Sequence, residues 1–137
     1  MNDVPISIIN LWHVLLVPLQ GDISDHHAEV LTERVLHRIG VQGPRGLVID
    51  LSGVSMIDSH LCAVVANLAT AARLMGTESY ISGISPEIAL TLETMGVSFA
   101  RISTTRNLED ALTQFDIAPA ASRRPKDHED RHGDENR

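Results

Sequence analysis

The chain has 137 residues, 43% of them hydrophobic, which is enough for one domain with a real core and too little for two. Its formal charge of −7 is unevenly placed: residues 1–117 hold six Arg and no Lys against thirteen Asp and Glu, while 118–137 hold five of each sign. That acidic body, with one Trp, one Tyr and two Phe, lacks the basic footprint and stacking platforms of a nucleic-acid binder, and nothing in it attracts an anionic membrane.

The single cysteine, Cys62, rules out an internal disulfide framework. No stretch approaches the roughly 20 apolar residues of a membrane span, and no signal-peptide pattern opens the chain, so a soluble cytoplasmic protein is the expectation.

In chain order, Val4 to Ile9 and Val14 to Leu19 are short apolar runs and predict two strands joined as a hairpin, with Trp12 as a core or hairpin anchor. Pro5 and Pro18 cannot donate to a ladder, so each belongs at a strand end, an edge or a bulge. Ser24 or Asp22 can cap a helix whose Ala28, Leu31, Val35 and Ile39 share one face, with Gly40 as its stop.

Leu47 to Leu51 is apolar except for Asp50 and reads as a buried strand. Ser52, Gly53 and Ser55 supply turn chemistry after it. Asp58 or Ser59 can then cap a second helix with apolar positions at 61, 64, 65, 68, 72 and 75, closed by Gly76. The Asp58-Ser59 junction therefore delivers a buried strand into a helix N-terminus, where first-turn amides lack helical partners and favour an anion.

A short strand follows within Ser79 to Ile84. Ser85-Pro86-Glu87 is a strong helix start, with Ile88, Leu92 and Met95 on one face and Gly96 as the stop. Val97 to Ile102 is a further strand candidate. Asn107 caps a last helix whose stripe is Leu108, Ala111, Leu112 and Phe115. The order β-β-α-β-α-β-α-β-α predicts an α/β fold with a mixed, mostly parallel sheet covered by helices. From Ser122 onward there is no apolar residue, so residues 1–117 form the expected domain and 118–137 a disordered charged tail.

Taken together, Leu47-Val48-Ile49-Asp50-Leu51, Ser52-Gly53-Val54, Asp58-Ser59 and Leu74-Met75-Gly76 resemble the STAS domains, and within them the bacterial anti-sigma factor antagonists and stressosome proteins. Ser82 to Glu87 and Leu92 to Gly96 resemble the third-helix region of the stressosome members, and a bare domain with Ser in the acceptor position favours the small RsbS type. The resemblance implies a STAS fold without catalytic residues or cofactors. It implies phosphorylation of Ser59 by a serine kinase held captive until then, resetting by a serine phosphatase, and assembly with RsbR-like STAS paralogues.

Asp58, Ser59, His60, Gly83 and Pro86 are the partner-binding candidates. Thr91 lies near a second acceptor position of some relatives, and is as easily a helix-surface threonine. The alternative role is a simple anti-anti-sigma factor binding an anti-sigma kinase.

Bland readings stand beside these. Ser59 or Asp58 can be a helix cap only, Cys62 a small buried residue, and His26, His27, His128 and His132 lack the further ligands of a metal site. A serine hydrolase would need a G-x-S-x-G elbow, whereas residues 57 to 61 read Ile-Asp-Ser-His-Leu.

Overall fold

The computed structural model describes residues 6–96 and 102–117. Five strands, β1 (Ile9–Leu11), β2 (Val14–Gln20), β3 (Gly46–Gly53), β4 (Glu78–Ser82) and β5 (Ser103–Thr105), lie side by side in sequence order. The β1–β2 pair is antiparallel and every later pair is parallel. The crossovers are α1 (Asp25–Gln42), α2 (Ser59–Leu74) and α3 (Pro86–Met95), and α4 (Leu108–Thr113) follows β5.

The pleat sorts β3 between two cores. Leu47, Ile49 and Leu51 face α1, α2 and α3 in the larger core, and α1 presents there the four residues its periodicity predicted, Ala28, Leu31, Val35 and Ile39. Val48 faces the other way, with Val14, Leu16, Ala111 and Phe115, so among the described residues the short α4 is the helix that covers the second face. Phe115 packs so closely over Gly46 that any β-carbon there would overlap its ring.

The predicted order of elements is the observed one, and several boundaries move. The first strand is Ile9–Leu11 rather than 4–9: Ile6 makes only an isolated bridge to Leu19, and Pro5 lies outside the described residues. Pro18 sits where the β2–β3 register shifts, the irregularity a residue without an N–H demands.

Helix α1 runs through Gly40 and is closed by Gly43 in the left-handed conformation, because Val41 and Gln42 complete one more hydrogen-bonded turn. Met75 and Met95 are 47% and 36% exposed and leave the buried stripes at their helix ends. The last strand begins at Ser103; the candidate residues 97–101 lie outside the described residues, as does the expected tail. Trp12 is not a core anchor. It is 81% exposed in the two-residue β1–β2 turn, because its positive φ of 54° turns the chain there and aims the ring outward.

Candidate functional site

All parallel strands end on one side of the molecule, and so do the starts of the helices that follow them. At that end, β3 finishes in a polar clasp. Asp50, 8% exposed, accepts hydrogen bonds from Ser52 Oγ on its own strand and from Ser82 Oγ on β4 at 2.8 Å. Gly83 closes over it with φ +76°, in a space where a β-carbon would lie 2.8 Å from Asp50 Oδ1 and from the Ser52 nitrogen. The one charged residue of the buried strand thus locks the ends of β3 and β4 together, which fixes where the chain leaves for the loop to α2.

That loop ends at Asp58, the N-cap of α2. Its backbone is extended (φ −101°, ψ 177°), and Oδ1 accepts the Leu61 N–H at 2.8 Å. Sequence reasoning left Asp58 and Ser59 open as the cap; the geometry gives the task to Asp58. Ser59 becomes the first helical residue, exposed, and its hydroxyl has no hydrogen-bond partner among the described residues. Serine at this point is therefore free for chemistry.

His60 follows, half exposed, with Nε2 3.6 Å from Asp25 Oδ1. Asp25 opens α1 behind its own N-cap, Ser24, whose side chain accepts the His27 N–H at 3.1 Å. The His60–Asp25 contact therefore ties two helix N-termini together, so two positive dipole ends lie close to Ser59.

Beside Ser59 runs a groove of about 260 Å³ lined by Asp22, Ile23, Met56, Ile57, Asp58 and Leu61. Met56 is 79% exposed on its rim. Sequence reasoning missed Ile23, Asp25 and Met56 as parts of this surface; of the three apolar residues in the loop, Val54 and Ile57 are buried and Met56 stands exposed. Gly83 lines a separate, more open depression with Asp50, Ser52, Arg106 and Asn107, and Pro86, exposed at the first position of α3, is at the same end of the sheet. Asp58, Ser59 and His60 thus form one cluster, and Gly83 and Pro86 do not line its groove.

The remaining candidates have structural surroundings. Cys62 is wholly buried, and burial pushes its thiol pKa up, away from the thiolate a nucleophile needs. Thr91 Oγ1 donates to Glu87 O at 2.9 Å within its own helix. Among the described residues no group of three or more His, Cys, Asp and Glu is placed to hold a metal ion, and no helix is long and apolar enough to cross a membrane.

Comparison with known proteins places this geometry. Residues 7–111 match the family model described as the STAS domain. The RsbT co-antagonist proteins RsbRC and RsbRB of Bacillus subtilis (strain 168) are 39% and 38% identical over 113 and 97 residues, covering 82% and 71% of this chain but 40% and 35% of theirs. The chain thus spans about two-fifths of the length of these relatives. Among solved structures, an RsbS variant of Moorella thermoacetica superposes with a TM-score of 0.73 at 28% identity, over 80% of this chain and 92% of that one. A structure described as the molecular architecture of the stressosome gives 0.71 at 29% identity, over 79% and 94%.

Proposed function

Because this chain belongs to the STAS domain family, we propose that it is a non-enzymatic, cytoplasmic regulatory protein of a stress-signalling assembly. It holds a serine kinase in a complex and releases it when Ser59 is phosphorylated. The observation that carries this reading is the division of labour at the head of α2: Asp58 caps the helix, which leaves an exposed serine hydroxyl with nothing else to do. RsbR-like STAS paralogues are its co-assembling partners, in keeping with the RsbR relatives and with the near-complete coverage of RsbS. A serine phosphatase resets the switch.

The physics of release follows from position. A phosphoserine brings about −1.5 to −2 charge at pH 7. The α2 N-terminus and the neighbouring α1 N-terminus both favour an anion there, each by about 0.3–1 kcal/mol, so the domain keeps its fold. A partner seated over Ser59 and the Met56 groove would have to desolvate that dianion beside Asp58, and it leaves instead.

The test is to capture the kinase from the native cell with the tagged full chain, add ATP, and map modified peptides by mass spectrometry. Modification at Ser59 with loss of the kinase is expected, together with retention by Ser59→Ala and failure of Ser59→Asp to capture it. Modification elsewhere with Ser59 untouched, or equal capture by Ser59→Asp and Ser59→Ala, overturns the reading. Capture of an anti-sigma factor by a chain that joins no STAS paralogue would instead establish the simple anti-anti-sigma role.

A further inference from the structure

The groove beside Ser59 takes its two walls from different parts of the chain. Asp22 and Ile23 come from the loop that leads into α1, and Met56, Ile57 and Asp58 from the loop that leads into α2, with Leu61 just beyond it. Where the loops leave the sheet, Gly21 N–H donates to Gly53 O at 3.0 Å and holds them together. Where the helices begin, the tie is His60 to Asp25. Among the described residues no other hydrogen bond or ion pair joins the two loops or the first helical turns that follow them.

The second tie has a property the backbone bond lacks. Nε2 and Oδ1 stand 3.6 Å apart, beyond hydrogen-bond range, so the contact acts through charge. A carboxylate is ionised across pH 5 to 8, whereas histidine is the side chain whose charge changes within that range. The attraction therefore exists while the imidazole carries a proton and ends when the proton leaves.

The surrounding groups keep that sign. Asp22 and Asp58 add negative charge from the two loops, and on α1 Glu29 lies about one turn beyond Asp25, so every nearby carboxylate favours a hold that tightens as pH falls. His26 and His27 follow Asp25 on α1 and change charge in the same range. His27 is occupied in its own helix cap, where Nδ1 accepts the Ser24 N–H at 3.5 Å. Only a comparison between positions 60 and 25 isolates the pair.

We infer that His60 is a positioning residue for the Ser59 switch: with Asp25 it clasps the head of α2 to the head of α1, and the clasp closes as the imidazole gains its proton. This rests on the function proposed above, whose partner sits over the same groove. Walls already held in place lose less freedom when a partner binds, so capture is firmer on the acid side. The two side chains are 50% and 80% exposed, which limits the effect to that of a surface ion pair, about two- to fivefold.

The test compares the full chain with His60→Gln, Asp25→Asn and the double variant at about pH 6 and about pH 8, either side of the histidine range. Urea unfolding should show a coupling between the two positions of about two- to fivefold in the unfolding constant at the lower pH and none at the higher. Amide exchange of residues 54–61, scaled to the intrinsic rate at each pH, should be slower in the parent than in His60→Gln by a similar factor on the acid side only. Neither readout needs a partner. The kinase captured as described above should be held about two- to fivefold more tightly by the parent than by either single variant at the lower pH, with the double variant no weaker than the singles. Absence of coupling, or equal coupling at both pH values, overturns the clasp. A loss of grip in His60→Gln that Asp25→Asn does not share would mean that His60 touches the partner directly, and overturns it as well. If no kinase is captured, the function proposed above fails, and urea and exchange still decide the clasp.

Discussion

Substitution at Asp58 separates the helix cap from the switch proposed at Ser59. Its carboxylate accepts the Leu61 N–H at 2.8 Å from an extended N-cap backbone, and it also places a negative charge at the positive end of α2. Asp58→Ala deletes both contributions. The expected loss is about 1 kcal/mol and at most about 2, the range measured for cap-to-alanine changes. Asp58→Asn keeps the acceptor and removes only the charge, so it should lose no more than the roughly 0.3–1 kcal/mol of a helix-end interaction.

At about 4–8 °C per kcal/mol for a small domain, the alanine variant should melt roughly 4–8 °C and at most about 16 °C below the parent, and the asparagine variant by less. Calorimetry and urea unfolding of the full chain measure this. An asparagine variant that falls as far as the alanine variant would show that the acceptor contributes nothing. Asp58 would then have no capping role, and Ser59 would lose its claim to a spare hydroxyl.

Gly83→Ala should destabilise the domain by about 2 kcal/mol, since it combines a strained positive φ with a β-carbon 2.8 Å from Asp50 and the Ser52 nitrogen; an unchanged urea midpoint would refute the clasp. Cys62 should resist alkylation in the folded protein and react on unfolding. Because burial raises its pKa above the ordinary 9.0, its contribution to stability is present below that pH and is lost as pH rises through the folded value. A urea midpoint in Cys62→Ala that falls as steeply above pH 9.0 as in the parent would contradict this.

What was legible in the sequence was what repeats. The α1 stripe falls on Ala28, Leu31, Val35 and Ile39 because burial on one helix face imposes a 3.6-residue period, and the Ser85-Pro86-Glu87 start is written in local chemistry. The strand, loop and helix around Ser59 were readable for the same reason. Stops and ends were less so. Gly40 looked like a terminus, but a glycine is tolerated mid-helix, and the left-handed residue that closes α1 is Gly43. Trp12 was misplaced because composition says aromatic rings are buried, and only the chain's path through the turn shows this one facing out. The Met56 groove needed the β2–α1 loop brought against the β3–α2 loop, which no local pattern encodes.

Helix α2 sets how far a change at Ser59 can reach. Its sixteen residues place Ser59 and Leu74 about 22 Å apart, fifteen steps of roughly 1.5 Å. Between them Leu61, Cys62, Val65, Leu68, Ala69 and Ala72 are packed into the core, so the helix cannot slide or roll without opening that contact. A charge added at Ser59 therefore acts on whatever lies over the Met56 groove more than on the far end of the helix. The separation also exceeds the roughly 8 Å Debye length at physiological salt, which screens direct repulsion between the two ends. A domain built this way can take a new charge at the head of α2 without disturbing its own packing, because the buried face of the helix stays where it is.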